Sequence, residues 1–390
     1  MTLKKQKSVH FDHKPSRAII SAMQNLTAPF FPLKPPKRFF ASTHAPISFY
    51  FKKCSRDFSV QEEPLYPFSG QGDHAILKIR KKDLSTLEML SLLAGVSGAK
   101  IKEFGYAGLK DKQAMSIQYL SLPKRYACIL EKHASTLLDR GVKILDITAH
   151  NHKIRLGHLK GNFFSMRLKK LSPLDAKKIE QILPFLKTYG FPNYFGLQRF
   201  GKSGDNFKQP ATRSKKLQAF FLSSYQSHLF NHWLSMRMHL NTLLRHFNPK
   251  EIQATFNFLS LEQLKSLGDQ EHYFKLLPGD ILCHYPFGKY FTHCDLANSK
   301  RLLTKQIVPT GLLTGQKVPH AQKLAHVLEQ PYIHTLKARG DRRFALVFPD
   351  ALEFVYLPKE AQAQLCFFLP KGAYATIFLE EVAGQTLFEA

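Results

Sequence analysis

Acidic residues are scarce in this sequence. Its 390 residues include 29 Asp and Glu against 56 Lys and Arg, which gives a formal net charge of +27 and an isoelectric point near 9.8. A surface with this excess of positive charge attracts polyanions, so nucleic acid is the first candidate partner. The few carboxylates also form no cluster suited to holding two metal ions, which disfavours a metal-dependent nuclease.

Cysteine and long apolar runs are also rare. The five cysteines are odd in number and scattered, which is unlike a disulfide framework and indicates a reducing compartment. No apolar run approaches the roughly 18 residues that span a bilayer, and the basic start at Met1–Ser8 lacks the apolar segment of a secretory signal. We therefore expect a cytoplasmic protein that makes no use of a membrane and acts as a monomer.

The length and the 44% hydrophobic content favour two domains with sizeable cores. Residues 1–45 are basic and contain many prolines, a composition that predicts a poorly folded arm. The arm is either an extra phosphate-binding tail or an incidental extension, and a transit peptide is a poorer interpretation. Strand patterns at both ends and helical patterns between them predict a split domain, residues 46–211 and 343–390, around an inserted domain at residues 212–342.

Local patterns predict individual elements of an α+β fold. His74–Arg80 alternates as a half-buried strand, and Ser85-Thr-Leu-Glu88 is the capping box of a following helix. Ser172, which stands before a proline, predicts the N-cap of another helix. Apolar residues from Leu222 to Leu243 recur at spacings of three and four, as in a long amphipathic helix. The last predicted strand covers Tyr374–Leu379.

One short segment presents a single carboxylate on a turn that contains glycine. Phe104-Gly-Tyr-Ala-Gly-Leu-Lys-Asp-Lys-Gln-Ala114 is typical of a strand that runs into a loop, and Ser116–Leu122 alternates as its partner strand. Asp111 is therefore expected at a hairpin-like edge of a sheet. Taken alone, such a loop is more often a solvated turn than a catalytic site.

A second segment, Phe191-Pro-Asn-Tyr-Phe-Gly-Leu-Gln-Arg-Phe-Gly201, is dense in aromatic residues. A loop of this kind can stack a base on Phe or Tyr and contact the edge of the base through the amide of Asn193. The same aromatic residues can instead pack as a corner of the core. Both interpretations stay open, because different rings can serve each of them.

Two further motifs suggest cofactors that we do not expect. Gly70-Gln-Gly-Asp-His-Ala75 matches a dinucleotide-binding fingerprint, but it follows a loop and opens a strand, whereas that fingerprint needs a strand before it and a helix after it. Cys283-His284 and His293-Cys294 offer four zinc ligands, but adjacent side chains on a strand point to opposite faces. We read the intervening residues as a hairpin tip and predict no nucleotide cofactor and no metal.

Six separated stretches together resemble the TruD family of tRNA pseudouridine synthases. They occur in the family's order: Asp57-Phe58, Gly108-Leu-Lys-Asp-Lys112, Arg155-Leu-Gly-His-Leu-Lys-Gly-Asn162, Asn193-Tyr-Phe-Gly-Leu-Gln-Arg-Phe-Gly201, Tyr225-Gln-Ser-His-Leu-Phe-Asn231 and Leu369-Pro-Lys-Gly-Ala-Tyr-Ala-Thr376. The resemblance implies isomerisation of uridine to pseudouridine in tRNA without a cofactor, at position 13 of the D arm in the better known members. It also implies a mixed and antiparallel sheet core interrupted by the family's insertion domain.

The resemblance further implies roles for the residues at matching positions. Asp111 matches the family's catalytic nucleophile. The positions that match uridine-binding groups are Phe58, Asn193, Phe195, Tyr374 and Lys52, with Lys53 as the competitor for this last, basic position. Apart from the resemblance, an extended loop would point Lys110 and Lys112 away from the Asp111 side, so contacts with RNA phosphates are expected at these lysines and at Arg199. Tyr374 stands where some relatives carry Phe, so a role for its hydroxyl would be particular to this branch.

The chemistry agrees with these residue types. Forming pseudouridine breaks the bond between N1 and C1′, turns the uracil over and joins C5 to C1′, and the base must first be flipped out of the folded RNA. A carboxylate can stabilise or trap the positive charge that develops at C1′. Attack at C1′, addition to C6 and removal of a sugar proton by Asp111 all stay open. The alternative function is a non-catalytic tRNA-binding or RNA-chaperone protein on the same fold.

Overall fold

The computed structural model describes residues 36–201, 215–286, 288–293 and 297–388. These residues form two compact units. One unit contains residues 40–193 and 346–387, and the other contains the described residues between 194 and 345 together with residues 36–39 and Phe388. The chain thus passes between the units after Asn193 and again after Ala345, whereas the sequence patterns placed these junctions after residues 211 and 342. Residues 1–35 of the expected arm lie outside the described residues.

Fourteen strands and ten α-helices follow one another along the described residues. The strands are β1 (Phe58–Pro64), β2 (His74–Lys82), β3 (Gly105–Tyr106), β4 (Met115–Pro123), β5 (Val142–His150), β6 (Leu159–Lys169), β7 (Phe191–Pro192), β8 (Ile281–His284), β9 (Tyr290–Thr292), β10 (Ile307–Leu313), β11 (Asp341–Phe344), β12 (Leu346–Val347), β13 (Asp350–Leu357) and β14 (Gln362–Pro370). The helices are α1 (Thr86–Ser97), α2 (Ala127–Lys132), α3 (Ala134–Asp139), α4 (Pro173–Tyr189), α5 (Lys215–His246), α6 (Pro249–Thr255), α7 (Leu261–Gly268), α8 (Ala297–Leu303), α9 (Lys323–Glu329) and α10 (Ala375–Ala383).

The sheet of the first unit runs in the order β13-β14-β6-β1-β4-β2-β5, with β3 paired to β4. The pairing of β1 with β4 is parallel, and the other pairings in this sheet are antiparallel. Because β1 and β4 run in the same direction, Phe58 at the start of β1 and Met115 at the start of β4 lie at the same end of the sheet. A mixed sheet combined with helices confirms the predicted α+β class.

Helix α1 packs on one face of this sheet. Leu77 of β2 and Leu90 of α1 are fully buried in the same apolar cluster, as expected where an alternating strand meets an apolar helix stripe. Ser85 accepts a hydrogen bond from the backbone of Glu88, and the Glu88 side chain accepts one from the backbone of Ser85. The predicted capping box is therefore confirmed, and so is the predicted N-cap of α4 at Ser172.

Helix α10 corrects one sequence prediction. The strand predicted at Tyr374–Leu379 is wrong, because Tyr374 is the extended N-cap residue of a helix over Ala375–Ala383. Every residue of this helix except Thr376 is buried. A helix that is buried on all sides has no polar face, and the spacing of apolar residues then does not distinguish it from a buried strand.

The second unit is organised around α5. The predicted amphipathic helix is confirmed and extends over 32 residues. Gly311 in β10 lies so close to α5 that a Cβ at this glycine would come within 2.3 Å of the Trp233 ring. The buried Arg237 of α5 pairs with Asp280, with 2.6 Å between nitrogen and oxygen. No helix in the described part of the chain combines the length and apolar composition that a bilayer span requires.

The two Cys-His pairs considered for zinc fall on a hairpin. Strands β8 and β9 pair antiparallel, as predicted for this segment. Cys283 is buried and its neighbour His284 is exposed, so these side chains leave the strand on opposite faces. Cys294 lies outside the described residues. Within the ranges that the structure describes, no group of three or more His, Cys, Asp or Glu side chains is placed to hold a metal ion.

Candidate active site

Asp111 lies in the loop that joins β3 to β4. Gly105 pairs with Ser121 and Tyr106 with Leu120 in an antiparallel ladder, so the chain turns back through residues 107–114. This arrangement confirms the hairpin-like setting predicted for Asp111. Because β4 is parallel to β1, the loop ends beside the start of β1.

Lys53 contacts the Asp111 carboxylate. Its Nζ lies 3.5 Å from Oδ2 of Asp111, and the two side chains are 17% and 44% exposed. The same Nζ lies 5.9 Å from the centre of the Phe58 ring. Lys52 is exposed, so the structure favours the competitor Lys53 over Lys52 as the basic group beside Asp111.

Phe58 is a buried residue of the sheet. Its ring is stacked over that of Phe164 with 6.2 Å between the centroids, and the edge contact with Phe51 measures 5.9 Å. The ring therefore forms part of the core of its unit, while its cation contact places it next to the group that pairs with Asp111.

Lys110, directly before Asp111, is buried. Its Nζ lies 2.6 Å from Oε2 of Glu62, and its backbone N–H donates to Oγ1 of Thr86 at 2.9 Å. The hydroxyl of Thr86 in turn donates to Gln118 at 3.0 Å. Burial raises the pKa of the Glu62 carboxyl, while the Lys110 ammonium acts in the opposite direction. This geometry shows that Lys110 supports the loop, and its expected contact with RNA phosphates stays a prediction.

Lys81 supports the same loop from β2. This lysine is fully buried, and its Nζ donates to the backbone carbonyls of Leu84 at 2.5 Å and of Asp111 at 2.8 Å. Burial lowers the pKa of Lys81 to about 8, against the opposing effect of the Asp111 charge. The sequence interpretation missed this residue. The available signal was a lysine at an inward-facing position of an alternating strand, since Leu77, Ile79 and Lys81 are all buried.

Lys112, directly after Asp111, is exposed. Its Nζ lies 2.6 Å from Oε1 of Glu88, which belongs to the capping box of α1. The hydrogen bond from Lys112, followed by that from the Ser85 backbone, lowers the pKa of Glu88 to about 2. Lys112 can therefore exchange this partner for a phosphate without leaving the surface.

Asn193 and Tyr374 lie in the same unit as Asp111. Asn193 is buried and directly follows β7, and Tyr374 is half-buried at the N-cap of α10. Phe191 of β7 contacts Phe378 of α10, with 5.3 Å between the ring centroids. This contact brings together the segments that carry Asn193 and Tyr374.

Phe195 and Arg199 belong to the second unit. The backbone of Phe195 exchanges two hydrogen bonds with the amide of Asn231, and the guanidinium of Arg343 lies 3.8 Å from the centre of the Phe195 ring. Arg199 donates to the hydroxyls of Ser223 and Ser227 on α5. These contacts hold the loop of Arg199 against α5, and the expected contact of Arg199 with an RNA phosphate stays a prediction.

Comparison with known proteins gives consistent results. Residues 37–209 match the family described as TruD, tRNA pseudouridine synthase D. The chain is 47% identical over 361 residues to the tRNA pseudouridine synthase D of Wolinella succinogenes. The aligned region covers 90% of this chain and 99% of that protein. It is 46% identical over 363 residues to the protein of the same name from Helicobacter pylori strain HPAG1, with 88% and 95% of the two chains covered.

A solved structure resembles the fold. It is the crystal structure of a candidate tRNA pseudouridine synthase D from Methanosarcina mazei, which superposes with a TM-score of 0.56 and covers 89% of this chain and 96% of that one. Since the two sequences are 21% identical, this likeness concerns the fold alone.

Proposed function

This chain belongs to the TruD family of tRNA pseudouridine synthases, and we propose that it isomerises uridine 13 in the D arm of tRNA, with Asp111 as the nucleophile. The observation that carries the proposal is the contact between Lys53 and Asp111 on a loop held at one end of the sheet. The Asp111 side chain is 44% exposed, so a substrate can reach this carboxylate, whereas buried carboxylates such as Glu62, which is 1% exposed, are closed to it.

The proposed reaction needs one carboxylate. The bond between N1 and C1′ breaks with both electrons going to the uracil, and Asp111 stabilises or bonds the electron-poor C1′. The uracil anion turns over, and its C5 bonds to C1′ as the carboxylate is released. C5 then loses its proton, and N1 gains one. The Lys53 ammonium offsets the negative charge of Asp111 while the site is empty.

The base has to be held while it is detached. Tyr374 is the aromatic group that we assign to a face of the uracil, and Asn193 is the amide that we assign to its edge. The buried ring of Phe58, next to Lys53, is assigned to the apolar floor of the pocket. Keeping the uracil close to C1′ makes its return effectively intramolecular, which is worth several kcal/mol or more. The net charge of +27 supports binding of the tRNA backbone through counterion release.

The test removes the carboxylate and keeps its shape. Asp111→Asn should abolish tritium release from tRNA labelled at C5 of uridine, while tRNA binding stays within about threefold of the wild type because the phosphate contacts are unchanged. Asp83→Asn is the matched control. Asp83 is exposed, lies in the same unit as Asp111 and accepts a hydrogen bond from the hydroxyl of Ser55. Turnover by Asp111→Asn at the wild-type rate would refute the role of Asp111.

A second measurement addresses the non-catalytic alternative. Carbodiimide-dependent stops of reverse transcription map pseudouridine in tRNA from cells with and without the gene. A stop at position 13 that depends on the gene supports the proposed target. Binding of tRNA without any such stop would favour the RNA-chaperone alternative.

A further inference from the structure

One motif of the sequence has no role in the site described so far. Arg155-Leu-Gly-His158 forms a tight turn in which the backbone N–H of His158 donates to the carbonyl of Arg155 at 3.0 Å. Gly157 has a φ of +87°, in the left-handed region that favours glycine. A Cβ at Gly157 would meet nothing within 4 Å, so backbone conformation and not crowding requires this glycine, and the tip of the turn borders open space.

The turn is fastened to the loop that carries Asp111. The backbone N–H of Gly157 donates to the carbonyl of Ala107 at 2.8 Å. Ala107 precedes Asp111 by four residues, which limits the distance between their Cα atoms to about 14 Å. Further contacts fix the other side of the turn, since His158 bonds the hydroxyl of Tyr66 at 2.8 Å. The turn is therefore held in place next to the catalytic loop.

The turn presents an apolar side chain to solvent. Leu156 is 71% exposed, and Leu109, two residues before Asp111, is 62% exposed. The flanking side chain of Arg155 is also exposed, and the segment from Asn151 to Asn162 contains no acidic residue. An exposed leucine gains nothing from packing within its own chain, whereas an apolar tip between basic groups suits the stacked bases and phosphates of RNA.

We propose that Leu156 is a wedge that enters the base stack of the tRNA when the target uridine is flipped towards Asp111. The proposal rests on the proposed function, because a uridine stacked in folded RNA must leave its neighbours before Asp111 can reach C1′. Leucine is among the side chains that proteins insert between base steps, where it partly unstacks the bases. Arg155 contacts a phosphate next to the vacated position.

The experiment separates flipping from chemistry. Leu156→Ala should lower kcat on folded tRNA by about tenfold or more, with KM within about threefold, because the vacated stack is left unfilled. Leu156→Met, which keeps the volume and the apolar character, should restore most of the rate. Leu174→Ala is the control, since Leu174 at the start of α4 is 65% exposed and has no place in the site.

A fluorescence readout reports the flipped state directly. In the Asp111→Asn background, a tRNA with 2-aminopurine next to the target uridine should brighten on binding, and adding Leu156→Ala should reduce that increase. An unchanged increase, or a kcat of Leu156→Ala within twofold of that of Leu174→Ala, would overturn the wedge. Failure of the proposed function looks different, because the wild-type protein would then form no pseudouridine.

Discussion

The two lysines on either side of Asp111 form ion pairs of equal length in opposite environments. Lys110 pairs with Glu62 and Lys112 with Glu88, each at 2.6 Å between nitrogen and oxygen. The side chains of the first pair are 6% and 1% exposed, and those of the second are 58% and 45% exposed. Distance is therefore no guide to their importance, because water can replace a lost partner only in the second pair.

The difference divides the loop around Asp111, residues 107–114, into an inner and an outer side. On the inner side, Lys110 and Lys81 bind the loop to buried groups of β1 and β2. On the outer side, Lys112 forms an exposed ion pair with Glu88 in the first turn of α1. We infer that the inner contacts set the position of Asp111, while the outer pair leaves Lys112 available to the substrate.

The largest effect is expected from breaking the inner pair. Lys110→Met should lower the free energy of unfolding by about 3–5 kcal/mol, because it leaves the Glu62 carboxylate buried without its cation. The double variant Glu62→Leu/Lys110→Met should recover most of that loss, since no buried charge remains. Urea unfolding of the single and double variants measures both effects. A loss below about 1 kcal/mol for Lys110→Met would place this pair with exposed ones.

Lys81 is a third lysine at this loop, and it differs from the other two because it is buried with hydrogen bonds to carbonyl oxygens. Its pKa is lowered to about 8 from an ordinary value of 10.5, so the unfolded chain binds more protons between these pH values. The wild type should therefore gain stability relative to Lys81→Met as the pH rises from 8 to 10, by up to about 1.4 kcal/mol per pH unit. Paired urea titrations across this range measure the slope. Parallel curves for the two proteins would contradict the lowered pKa.

Local signals of the sequence predicted the parts of the fold and site that depend on local chemistry. The capping box at Ser85 and the loop around Asp111 follow from turn and cap residues whose preferences act over a few positions. The roles proposed for Asp111, Asn193 and Tyr374 came from the family resemblance and remain to be tested.

The parts that were missed depend on packing. Glu62 and Lys81 occupy inward positions of alternating strands, where a charge signals a buried partner, but the partner is known only once the strands are paired. The choice between Lys52 and Lys53 depended on which of the two side chains packs towards the loop around Asp111. The sequence predicted a strand where α10 lies because nearly all residues of this helix are buried, and a short buried apolar run does not show whether it is a helix or a strand.

The smallest effect is expected at the outer pair, and it depends on pH and salt. Lys112→Met should change urea unfolding at neutral pH several-fold less than Lys110→Met does, and the change should shrink further as salt screens the charges. The pKa of Glu88 is lowered from 4.5 to about 2, so the stability that this carboxylate provides is present above pH 4.5 and is lost as the pH falls towards 2. The Lys112→Met variant should lose less stability than the wild type over that acid range. Without Lys112, the hydrogen bond from the Ser85 backbone lowers the pKa of Glu88 by a smaller amount. Equal losses for Lys110→Met and Lys112→Met at neutral pH would mean that burial does not distinguish the two pairs.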